Sequence, residues 1–189
     1  MSSDLFNKVK RYVVESFTKA EDLSGLRHFE RTVYWVKKLR PRASEALLVA
    51  AIAHDIERAF RDKSYTKISK SSKGFKDDGH LISHQENGAR LVGDFLAAEG
   101  ASKKLINSVK ELIGRHEVGG NKDQNLLKDA DSVSFFENNI EYFVTKQVEK
   151  TNREKVKEKF DWMFNRITSA KAKKSARPWY ENGLKKLGY

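Results

Sequence analysis

The stretch LLVAAIAHDIER, residues 47–58, decides how the chain folds. It is an apolar run of good helix formers that stops abruptly at His54-Asp55. Leu47, Leu48, Ala51 and Ile52 recur at the i, i+3/i+4 spacing of a buried helix face. An imidazole and a carboxylate therefore emerge together at the end of a core helix, where the backbone can hold both rigidly over a cleft. Such a placement suits metal ligands.

Helical patterning continues on both sides of this stretch. Leu5, Phe6, Val9, Val13 and Phe17 keep helical spacing up to about Lys19, with Ser2 or Ser3 as cap. A second helix is expected over about 27–39, ending before Pro41, and the third over about 44–59. Further helices are expected over about 83–98, 102–115 and from about 125, the last carrying Asp129, Asp131 and an aromatic run. A long charged helix over about 149–172 follows, with Val156, Phe160, Met163, Phe164 and Ile167 as its inward stripe, and after Pro178 a short amphipathic segment docks back on the core. The fold class is all-α, a helical bundle in a single domain spanning 1–189.

Composition narrows the function. There are no cysteines, which excludes a disulfide framework and thiolate metal sites. No apolar run approaches the roughly 20 residues of a membrane span, and the N-terminus lacks a signal-peptide pattern, so no membrane partner and a cytoplasmic location are expected. The formal net charge is +11, which admits anionic partners, although the lysines are spread along the chain as on a solvated surface. One denser patch is RDKSYTKISKSSKGFK, residues 61–76, directly after the His-Asp pair. It reads either as a surface lid able to meet an anionic substrate or as a solvated insertion. The other is the tail over 171–186.

The remaining histidines fall in order around the pair. His28 stands in RHFERTVYWVKKL, His84 in SHQENGARLVGDFL and His116 in LIGRHE, while Asp131 stands in LLKDADSVSFF; four of the five histidines, with His54, belong to this order. The set resembles the HD-domain superfamily of metal-dependent phosphohydrolases. In that family a His precedes the His-Asp doublet and an Asp follows in an Ala-Asp context, and one subgroup adds two His between. His84 in HQENGARL is similar to that subgroup's His-x-Glu-x-Gly-Ala segment. The resemblance covers about residues 26–145, with an N-terminal helix and a C-terminal helical extension outside it.

The resemblance implies metal ligation by His28, His54, Asp55, His84, His116 and Asp131. Asp131 is preferred to Asp129 because it follows Ala, and Asp129 is left near the site. Imidazole and carboxylate donors suit Mn, Fe, Co, Ni or Zn, with Mg admissible. A carboxylate such as Asp55 can bridge, so two ions are favoured, and one ion on His28, His54, Asp55 and Asp131 is the alternative. A divalent cation lowers the pKa of a water it holds and offsets charge at phosphorus. Catalytic roles are expected for Asp55, Arg58 and Glu57, the last orienting water or a neighbouring ligand. Arg58, one turn beyond His54, stands where a related subgroup has Lys and would bind phosphate. Arg31 matches a common Arg of the family and can pair with a carboxylate or with phosphate, and Arg115 is a further candidate of the same kind.

The expected activity is hydrolysis of a phosphomonoester or phosphodiester in a nucleotide or related small phosphorylated metabolite. Thr32 departs from the apolar residue common at its place, Ser132-Val133 from the usual basic-apolar pair, and no Gly-Tyr-Pro follows His116. That last departure argues against a cyclic-dinucleotide phosphodiesterase. Two other readings stay open: a di-iron oxygenase on the same fold, and a basic module binding nucleic acid or nucleotide, for which Tyr65 and Phe75 among lysines are the support. Nothing in the sequence sets the oligomeric state.

Overall fold

The computed structural model describes residues 4–61 and 78–189; most of the basic 61–76 patch, with Tyr65 and Phe75, lies outside them. Eight principal helices follow one another: α1 Asp4–Lys19, α2 Leu26–Leu39, α3 Glu45–Ala53, α4 Asp78–Ala98, α5 Lys103–Ile113, α6 Lys122–Asn138, α7 Arg153–Asn165 and α8 Ala170–Leu187. A 3-10 segment, Ile56–Phe60, extends α3, and one π-helical turn, Phe143–Gln147, lies between α6 and α7. Among the described residues there is no strand.

The central element is α3. Ala46, Leu47, Val49, Ala50, Ala51, Ile52 and Ala53 are all buried, so the helix is enclosed on every side. Its neighbours are α1, α2, α5 and α6. The small side chains of Ala50, Ala51 and Ala53 let those neighbours approach, and Leu47 fills the space nearer the Ser44 cap. On the far side of the bundle α8 seats on α7 at Gly183. A Cβ there would stand 2.9 Å from both Ile140 Cδ1 and Phe160 Cε2.

Several helix boundaries differ from the sequence-based expectation: α4 begins at Asp78 and α6 at Lys122, where about 83 and about 125 are expected. The third helix stops at Ala53 instead of about residue 59. Its cause is the side chain of His54, whose Nδ1–H takes the Ala51 carbonyl that a continuing helix would use. The expected long helix over 149–172 is two helices, opened on Asn152, whose side chain caps α7, and broken again at 166–169. At that second break Asp129 accepts the Thr168 and Ser169 amides at 2.8 and 2.7 Å. Pro178 was expected to separate a short C-terminal segment, yet it lies inside α8. Pro178 and Lys174 are both exposed, so the carbonyl that proline leaves unpaired faces water.

Candidate metal centre

α3 and α5 end in the same way. His54 Nδ1 lies 3.0 Å from the Ala51 carbonyl oxygen and His116 Nδ1 lies 2.8 Å from that of Ile113, each three residues back. A carbonyl only accepts, so Nδ1 carries a proton in both rings, and Nε2 is the nitrogen left to offer a lone pair whenever the ring is neutral. Both Nε2 atoms are fully buried and have no hydrogen-bond partner. Orphaned imidazole nitrogens inside a bundle are costly unless something coordinates them.

His28 and His84 are turned the same way by different partners. Ser134 Oγ donates to the His28 carbonyl at 2.8 Å, which leaves it to accept from His28 Nδ1 at 2.9 Å. Thr32 Oγ1 donates to that same carbonyl at 2.9 Å, which accounts for a polar residue at a wholly buried position. Glu57 is buried, and its Oε2 accepts from His84 Nδ1 at 2.6 Å while Arg61 holds it from outside at 2.7 Å. All four imidazoles thus present Nε2 inward, the tautomer that metal-binding histidines adopt when the other nitrogen is tied down.

Carboxylates complete two adjoining groups, His28, His54 and Asp131 in one, and Asp55, His84, His116 and Glu117 in the other; the donor atoms within each lie within 4.8 Å of one another. Asp131 Oδ1 stands 3.0 Å from His28 Nε2 and 3.5 Å from His54 Nε2. Asp55 lies between the groups. Its Oδ1 is 2.9 Å from His84 Nε2 and 3.6 Å from His116 Nε2, and its Oδ2 is 3.7 Å from His54 Nε2. The unpartnered nitrogens and the mixed imidazole-carboxylate donor set fit a divalent transition ion in each group.

Electrostatics keep the carboxylates ionised. Burial opposes charge on Asp131, but the Arg166 guanidinium and the His28 and His54 rings outweigh it and hold its carboxyl well below the usual range. The same contest holds Asp55 low, with Arg58 the largest opponent of burial. For Glu117, Arg166 overcomes burial and brings the carboxyl down to about 2. His54 carries the counterpart shift. Burial disfavours its charge, yet Asp55 and Asp131 raise it to about 9.

The other expected residues are distributed around this centre. Arg58 Nη2 donates to Asp55 Oδ2 at 2.9 Å while half of its side chain stays exposed, 50% against 4% for Asp55, so it lies at the rim. Arg31 gives its fork to Glu137 at 2.7 and 2.8 Å and stacks on Tyr34, and Trp35 shares that carboxylate. Of the two partners its guanidinium suits, the structure shows the carboxylate. Arg115 Nε donates to the Gly119 carbonyl at 3.0 Å and closes the turn after His116. That turn needs Gly119 at φ 78°, where a Cβ would stand 2.2 Å from Asn125 Oδ1. Asp129 points away from the centre, to the start of α8.

Two residues at the centre were not anticipated. Glu117 directly follows His116, and its amide is drawn into place by Gln85 Oε1 at 3.0 Å. Adjacency in RHE was the available signal. Arg166, between α7 and α8, reaches both Asp131 and Glu117 and has no such signal, because it lies beyond the motif-bearing region.

Fold and site together define an all-α protein whose interior gathers four imidazoles and three carboxylates able to hold metal, an arrangement compatible with an HD-like bundle. The chain belongs to the family described as a domain of unknown function, DUF4202, whose model matches residues 12–179. No curated protein and no solved structure matches the chain. No helix among the described residues is long and apolar enough to cross a membrane.

Proposed function

We propose that this protein is a metal-dependent phosphohydrolase of the HD type, cleaving a phosphomonoester or phosphodiester bond in a nucleotide or related small phosphorylated metabolite. The observation that carries the reading is the common orientation of the four histidines, each fixed at Nδ1 and each turning Nε2 towards buried carboxylates. Divalent ions held there would lower the pKa of water and offset charge on a phosphoryl group. Asp55, with one oxygen towards each group of donors, is the residue suited to join the two sites. Arg58 is the half-exposed cation at the rim, able to receive a phosphate oxygen while its other contact holds Asp55. Glu57 acts by fixing the His84 ring.

The test is phosphate release from a panel of nucleotides and generic phosphoesters, with chelated protein reloaded separately with Mn, Co, Ni, Fe, Zn or Mg. Metal-dependent release that disappears in Asp55→Ala is the expected result. Stoichiometric metal binding without release from any substrate would remove the hydrolase reading, and oxygen uptake by the iron form would replace it with oxygenase chemistry.

A further inference from the structure

We infer that Arg166 is a positioning residue that locks one carboxylate of each donor group, so that the C-terminal segment sets the geometry of a two-ion centre. The inference rests on the metal-binding reading above and goes beyond it by assigning a role outside the motif-bearing region. Asp131 turns Oδ1 to His28 and His54 and gives Oδ2 to Arg166 Nη2. Glu117 turns Oε1 towards His116 Nε2, 3.8 Å away, and gives Oε2 to Arg166 Nη1. One guanidinium thus takes the outer oxygen of each carboxylate and leaves the inner oxygen to the imidazoles. A planar fork holds the two oxygens on separate nitrogens at a fixed spacing, which the single nitrogen of an ammonium does not.

The fork is itself held. Arg166 Nε donates to Ser132 Oγ at 2.8 Å, Ser132 Oγ donates to the Lys128 carbonyl at 2.8 Å, and the Trp162 ring lies 4.6 Å from Arg166 Cζ. Its side chain is 8% exposed. The small Ser132 leaves space for a guanidinium that arrives from the α7–α8 junction. Asp129, by capping that junction, fixes where Arg166 starts.

The sign of the effect separates positioning from charge. A cation beside two ligands repels an incoming ion, so charge alone makes Arg166→Met bind metal more tightly. Positioning makes it bind more weakly, because both carboxylates are released to rotate. Equilibrium dialysis with Mn, read as ions per chain and as affinity, decides between them, with helical content by circular dichroism as the folding control. The expected result is two ions on the parent chain, at least a tenfold loss of affinity in Arg166→Met, and no recovery in Arg166→Lys, which keeps the charge without the fork. Unchanged or tighter binding in folded Arg166→Met, or full recovery in Arg166→Lys, overturns the inference and leaves the metal centre standing. A parent chain that binds no ion overturns both. Should Arg166→Met fail to fold, Ser132→Ala removes the Nε anchor, together with the Ser132 contact to the Lys128 carbonyl, and keeps the guanidinium; weakened binding there supports the inference and parent-like binding overturns it.

Discussion

The His54 and His116 rings meet edge to face with centroids 5.1 Å apart, and each caps the helix that delivers it through Nδ1. The cap does two things at once. At α3 it takes the Ala51 carbonyl and at α5 it joins the His116 amide on the Ile113 carbonyl, and in both it decides which ring nitrogen points inward. Two helices ending on one device therefore place two orphaned donors side by side in the core.

The division of donors into two groups leads to an asymmetric substitution series. Alanine at His28 or His54 should remove one bound ion, and alanine at His84 or His116 the other. Asp55→Ala should remove both, because its two oxygens face different groups. Ions per chain measured by elemental analysis after dialysis check this. Loss of both ions from every single variant would instead mean one shared site.

Glu57 acts on metal only through His84, so Glu57→Gln should weaken binding about 10- to 100-fold without abolishing it. The amide can still accept from Nδ1 but no longer carries charge. A titration that matches the parent would show that Glu57 serves only Arg61.

The pH dependence follows from His54, raised from 6.5 to about 9 in the folded protein. Between those values the folded chain holds a proton that the unfolded chain has lost. The stabilisation is fully present below pH 6.5 and disappears as pH rises through about 9. Metal-free protein should lose melting temperature across that window. Coordination needs the neutral ring, so the stabilisation added by Mn should grow over the same range. Melting curves with and without Mn measure both slopes, and a Mn effect that shrinks with rising pH would contradict the assignment of His54.

The ligand order was legible because each imidazole sits at the end or in the early turns of a strongly patterned helix, and His54-Asp55 closes the most apolar stretch of all. The partners that aim these rings were less legible. Ser134 meets His28 across 106 positions and Arg166 meets Asp131 across 35, and no local spacing encodes such contacts. Helix ends were misplaced where a side chain competed with the backbone ladder, as His54 does at Ala51. The break at 166–169 was hidden for the same reason, since its amides are taken up by Asp129, a residue from a different helix.

Asp129 and Asp131, two residues apart on α6, should separate cleanly by substitution. Asp129 accepts the Thr168 and Ser169 amides and the Thr168 hydroxyl, so Asp129→Ala leaves these donors without their protein partner and releases the junction leading into α8, whose own cap is the Ser169 hydroxyl. A loss of about 1–3 kcal/mol of stability is expected. The α7–α8 junction also carries Arg166, so metal affinity should fall modestly while the number of ions stays the same. Asp131→Ala should do the reverse, removing an ion and leaving the contacts of Asp129 with the α7–α8 junction intact. Urea unfolding of the metal-free variants beside Mn stoichiometry resolves the two, and an Asp129→Ala protein that loses an ion while keeping parental stability would exchange their roles.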